Sequence, residues 1–143
     1  MKKILTTLAF LTSAIFAADI EVSGVYVKQT PPNAKNTAIF LKMQNNTSQD
    51  IALVDAECDL SQYSELHTIL HEGNKMTMIK VPEITIKANS SVELKPGGDH
   101  IMLFDLKKPV TKDSKVNLTL TFSNGESLEL KDIESKQVAK RSH

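Results

Sequence analysis

The sequence predicts an all-β domain, a two-sheet antiparallel sandwich with Greek-key connections. Three observations carry that expectation: short apolar or alternating runs recur from Ile20 onward, turn-forming clusters separate them, and no segment keeps a 3.6-residue apolar period over helical length. About nine short strands without a long linker fit an architecture in which each sheet buries one face against the other.

The clearest strand is residues 116–122, where Val116, Leu118, Leu120 and Phe122 alternate with Asn117, Thr119 and Thr121. A period of two puts the apolar set on one face. Asn124-Gly125 then supplies a hairpin turn, and Leu128 and Leu130 begin the return strand. The remaining runs are residues 20–27, 37–44, 51–56, 65–70, 75–81, 84–86, 92–94 and 100–106. Between them stand Pro31-Pro32-Asn33, Asn45-Asn46-Thr47-Ser48, Glu72-Gly73-Asn74, residues 88–91 and Pro96-Gly97-Gly98-Asp99, all of turn chemistry. From Glu134 the sequence is polar and unpatterned, so residues 134–143 are expected to fray.

Composition narrows what such a domain can do. The chain has 143 residues, of which 41% are apolar and 24% charged, with 17 basic against 17 acidic side chains. That length suits one domain, and the balanced charge supplies no basic field for nucleic acid. A single cysteine, Cys58, cannot make an internal disulfide, a Cys-only zinc site or a Cys-x-x-Cys redox pair. Any metal or redox chemistry falls to His, Met and carboxylates.

The first 17 residues read as a secretory leader, with Lys2 and Lys3 before an apolar stretch over residues 4–16 and a cut after Ala17 or Ala18. The stretch is too short to span a bilayer, so no stable membrane insertion is expected once it is removed. The folded domain is then residues 18–133, working in the periplasm. Loss of Lys2 and Lys3 leaves 15 basic against 17 acidic residues, a formal charge of −2.

The residues with chemistry to offer cluster in two places. His67 and His71 precede the Gly73 turn and Met76 and Met78 follow it, while His100 and Met102 open a strand directly after Pro96-Gly97-Gly98-Asp99. Residues two apart on a strand share a face, so His100 and Met102 point one way and Ile101 and Leu103 the other. Met76 and Met78 pair likewise, and the turn carries Met78 back toward His67. Taken singly, a strand Met is usually core filler and a His near a turn is usually solvated. Their joint placement beside a polar loop argues otherwise. Thioether sulfur binds hard cations poorly and Cu(I) well, and imidazole is tolerant, so a two-Met, two-His set selects Cu(I). Neutral ligands without a thiolate suit release of the ion to a stronger site.

The pattern His67, ten residues, Met78, twenty-one residues, His100, one residue, Met102 resembles the H-x10-M-x21-H-x-M signature of the periplasmic copper chaperones called PCu(A)C. The surroundings are similar too: Glu65-Leu66-His67, Met76-Thr77-Met78, Pro96-Gly97-Gly98-Asp99-His100-Ile101-Met102-Leu103, and Leu106-Lys107-Lys108-Pro109-Val110. The resemblance implies a cupredoxin-like sandwich holding one Cu(I) per chain through His67, Met78, His100 and Met102. It implies delivery to the copper subunit of cytochrome c oxidase or to another copper-transfer protein, and the chain is expected to act as a monomer. The chain departs from the pattern where many members have a Met soon after the first His and an Arg-Pro pair after the second ligand. Here those stretches read Thr68-Ile69-Leu70 and Ile79-Lys80-Val81-Pro82, which leaves Met76 as the stand-in auxiliary donor and His143 as the only tail ligand.

Other readings fare less well. A blue-copper electron carrier packs Cys, His and Met into one short loop, and Cys58 is followed by Asp59-Leu60-Ser61-Gln62-Tyr63. Zinc held by His67, His71 and His100 with Glu72 or Asp99 leaves the methionines unexplained. Catalysis finds neither a nucleophile elbow nor a Cys-His arrangement. A copper-buffering or resistance protein would use the same ligands, and a non-catalytic β-sandwich binding module would lack the aromatic platform that sugars stack on, with no Trp in the chain.

Overall fold

The computed structural model describes residues 19–139; the leader expected over residues 1–17, and residues 140–143 with His143, lie outside it. The described chain is ten strands: β1 (Ile20–Lys28), β2 (Asn36–Asn45), β3 (Ile51–Cys58), β4 (Ser61–Glu72), β5 (Lys75–Val81), β6 (Ile84–Ile86), β7 (Ser91–Leu94), β8 (His100–Leu106), β9 (Lys115–Phe122) and β10 (Ser127–Lys136). Their lateral order is β5-β4-β8-β2-β1-β10-β9-β3-β6, with β7 also pairing β2. All pairings are antiparallel except β1 with β10, which run parallel through Val27 opposite Ser135 and Lys28 opposite Lys136.

That parallel seam divides the sheet into two halves that pack face to face as a cupredoxin-like sandwich. One apolar core joins them: Ile39, Leu41 and Met43 of β2 and Ile101 and Leu103 of β8 pack in the same cluster as Leu53 of β3 and Leu118, Leu120 and Phe122 of β9. In β9 the buried positions are the apolar ones that the alternation marks, and Asn117, Thr119 and Thr121 between them remain partly exposed. Burial of each large aliphatic side chain contributes roughly 1.5–3 kcal/mol, which makes this alternation the main determinant of register.

Two expectations need correction. The polar residues 134–136, assigned from sequence to a fraying tail, complete β10, Glu134 pairing with Lys115 of β9 and Ser135 and Lys136 with β1. The strands among the described residues number ten rather than nine, and β4 begins at Ser61, four residues before its apolar pattern becomes visible.

Strand β2 differs from its neighbours because both of its faces are covered. Ile39 and Leu41 point into the core, yet Ala38 and Phe40, on the opposite face, are also buried. The cover over that outer face marks the candidate site.

Candidate metal centre

Three neighbouring strands, β5, β4 and β8, present alternate residues on the outer face of their half of the sheet. Register decides which of them meet. His67 lies opposite His100 and Glu65 opposite Met102 across β4 and β8. On the other side of β4, Ile69 lies opposite Met78, His71 opposite Met76 and His67 opposite Lys80. Directly opposed residues in an antiparallel pair project to the same side of the sheet. His67, Met78, His100 and Met102 therefore share one face, and Ile101 and Leu103 take the core side as the alternation requires.

Local turn chemistry aims β8. Lys95-Pro96-Gly97-Gly98 is a tight turn closed by a 2.9 Å bond from the Gly98 amide to the Lys95 carbonyl, with Pro96 second and Gly97 third at φ +85°. That is the residue order a type II turn demands, since its third position is left-handed. The Gly98 carbonyl then accepts the Nδ1–H of His100 at 2.9 Å. Thr68 on β4 donates its hydroxyl to Asp99, tying the same loop to the neighbouring strand. At the far end of β4, Gly73 at φ +61° opens the two-residue hairpin that returns the chain as β5.

The two imidazoles are buried, His67 at 8% exposure and His100 at 5%, with ring centroids 5.4 Å apart. His67 donates Nε2–H to a Glu65 carboxylate oxygen at 2.9 Å. Its Nδ1 is buried and has no hydrogen-bond partner. Donation from one ring nitrogen leaves the other with its lone pair, so His67 offers Nδ1 and His100 offers Nε2. An unpaired buried acceptor costs about 1–3 kcal/mol, a penalty that a bound cation would remove. Burial pushes the His100 imidazole below its ordinary range, partly opposed by its bond to Gly98, which favours the neutral, ligating form. The hydrogen bond from His67 holds the Glu65 carboxyl below the usual carboxylate range, with Lys80 3.7 Å away reinforcing it.

Aromatic rings frame this pair. Phe40 lies 6.3 Å from His100 and Phe104 5.9 Å from His67, and Tyr26 and Tyr63 extend the row at either end. Beside it opens a cleft of about 390 Å³ whose lining includes Met78, His100, Met102, Ile69, Phe40 and Pro96. His67 does not line the cleft; it sits behind, in ring contact with His100. The methionines grade outward: Met43 in the core is fully buried, Met102 is partly buried, and Met78 is 46% exposed.

Two imidazole nitrogens and two thioether sulfurs on one face are the kind of donor set that suits a soft monovalent ion. The zinc alternative is not assembled, because no three His, Cys, Asp or Glu side chains cluster among the described residues. Cys58 is buried in β3, across the sandwich, where desolvation lifts its thiol to about 11. Its role is packing. Sequence reasoning gave no role to Glu65, Phe40, Phe104 or the Thr68–Asp99 bond. Glu65 alone left a signal, standing two residues before His67 on the same strand face.

The sandwich has the fold of PCuAC domains, which are copper-binding, chaperone-like domains. The copper-bound PCuAC domain of PmoF2 superimposes with a TM-score of 0.67 at 15% identity, over 83% of this chain and 95% of that one, a likeness of fold. The copper(I)-bound protein DR1885 of Deinococcus radiodurans matches at 32% identity and a TM-score of 0.72, over 93% of this chain and 89% of that one. The chain belongs to the LpqE-like family of PCuAC-type proteins, whose model matches residues 20–133. A Leifsonia xyli subsp. xyli protein whose name calls it a lipoprotein, Lxx21020, is 33% identical over 110 residues, 76% of this chain. The match spans 65% of that relative's own length.

Proposed function

We propose that this chain is a periplasmic copper chaperone that takes one Cu(I) between His67, Met78, His100 and Met102 and hands it to the copper centre of cytochrome c oxidase or to the factors that assemble it. One observation carries the reading: the buried, unpartnered Nδ1 of His67 beside the His100 ring. A histidine pair held by Glu65 and Gly98 through its other nitrogens has the outer hydrogen bonding usual for metal-ligating imidazoles. The thioethers of Met78 and Met102 on the same face then select Cu(I).

Three further points support delivery. The half-exposed Met78 gives an acceptor access to the ion, where storage would favour full burial. The likeness to the copper(I)-bound Deinococcus protein at 32% identity supports the metal and its oxidation state. The leader-like residues 1–17, and a family described as lipoprotein-like, fit a secreted or envelope protein. The oxidase as destination rests on the resemblance of the His-Met spacing alone.

The test is a competition titration of the full chain against a chromophoric Cu(I) chelator, run beside Zn(II) and Cu(II). The double variant Met78→Leu, Met102→Leu conserves volume closely and should fold normally while losing tight Cu(I) binding. Unchanged binding by that variant would falsify the assignment.

A further inference from the structure

His71 and Met76 are direct cross-strand partners at the turn end of the β4–β5 hairpin, on the face that carries Met78 and His67. Both are exposed, Met76 by 56%. Strand β5 ends the lateral order, so the pair lies on the outermost two strands at that edge among the described residues. Met76 stands two residues from Met78, about 7 Å along the strand, within the combined reach of two flexible thioether side chains. The donors thus grade in exposure on one face: His71 and Met76 in solvent, Met78 half exposed, Met102 partly buried, and His67 and His100 buried.

We infer that His71 and Met76 form an outer copper(I) handover site, through which the ion passes between Met78 and a docked donor or acceptor. The inference rests on the four-ligand reading above. Transfer proceeds by ligand exchange: a bond from copper to the Met76 thioether or the neutral His71 imidazole forms as the bond to Met78 breaks. The oxidation state stays at +1 and no proton or electron has to be supplied. Solvent competes at the outer pair, so its contribution is to rate rather than to affinity.

The test uses the full chain and the exposed double variant His71→Gln, Met76→Leu. Equilibrium affinity from chelator competition should stay within about twofold, while extraction of Cu(I) by excess chelator in stopped flow should slow by roughly tenfold. An unchanged extraction rate, or a loss of affinity as large as the loss of rate, would overturn the inference. A second readout is silver titration of the wild-type chain followed by methionine-methyl NMR, with Ag(I) standing in for Cu(I). The Met76 methyl should shift as the second equivalent is added, and a Met76 methyl that does not move also overturns it. Failure of the four-ligand reading looks different: there the Met78 and Met102 variant leaves first-equivalent affinity intact.

Discussion

His67 and His100 face each other across β4 and β8 with ring centroids 5.4 Å apart, and each has one nitrogen tied to a protein acceptor. For His67 the acceptor is the Glu65 carboxylate; for His100 it is the Gly98 carbonyl. The second nitrogens are thereby set as lone-pair donors before any ion arrives.

Glu65 should matter to metal affinity although it offers the ion nothing directly. Glu65→Ala frees the His67 ring and its tautomer, and Cu(I) affinity is expected to fall by about 10- to 100-fold. Glu65→Gln keeps an acceptor and should recover part of the loss. Chelator competition on both variants checks this, and equal losses would mean that the carboxylate acts only through its charge.

The turn before β8 carries the aim of His100. At φ +85° Gly97 has a conformation that side chains rarely adopt, so Gly97→Ala should destabilise the fold by about 1 kcal/mol or more. Because Gly98 in that turn also holds His100, the variant should lose copper affinity together with thermal stability. Gly73→Ala strains the β4–β5 hairpin and should cost stability with a smaller effect on first-equivalent affinity.

Burial depresses the His100 pKa from its ordinary 6.5. In the interval below that value the unfolded chain binds the proton that the folded chain excludes, so stability rises with pH there. The contribution is complete above the unfolded value and is lost as the pH falls through the lower folded one. Urea unfolding of the metal-free chain at about pH 7.5 and about pH 5 should show the loss, reduced in His100→Gln. Protons also compete with copper for this imidazole, and the depressed pKa moves that competition to more acid solution.

Cys58 should be silent. It is buried, and desolvation raises its pKa to about 11, so little thiolate exists near neutrality. Alkylation of the folded chain should be slow and become rapid in denaturant. Cys58→Ala should leave Cu(I) affinity within about twofold, as expected for a side chain remote from the site.

The fold was legible where periodicity is local. Val116, Leu118, Leu120 and Phe122 declare β9, and Asn124-Gly125 its turn, with no knowledge of their partners. Residues 134–136 carry no such pattern; Glu134 is strand because it pairs with Lys115 of β9, and Ser135 and Lys136 because β1 lies alongside, a contact that separates Val27 from Ser135 by more than a hundred positions. The start of β4 was hidden for a related reason, since Ser61 to Ser64 are polar and their order comes from pairing with Phe104 and its neighbours on β8. In the candidate site, clustering brought forward His67, His71, Met76, Met78, His100 and Met102, and the resemblance to the PCu(A)C signature narrowed them to His67, Met78, His100 and Met102. Phe40, Phe104 and the bond from Thr68 to Asp99 became visible only once register set β2, β4 and β8 side by side.

X-ray absorption at the copper edge of the chain loaded with one equivalent of Cu(I) tests the central claim most directly. A first shell of two nitrogens and two sulfurs, losing its sulfur in Met78→Leu, Met102→Leu and a nitrogen in His67→Gln, is the predicted result. A shell of nitrogen and oxygen alone, or a sulfur contribution that disappears in Cys58→Ala, would contradict it.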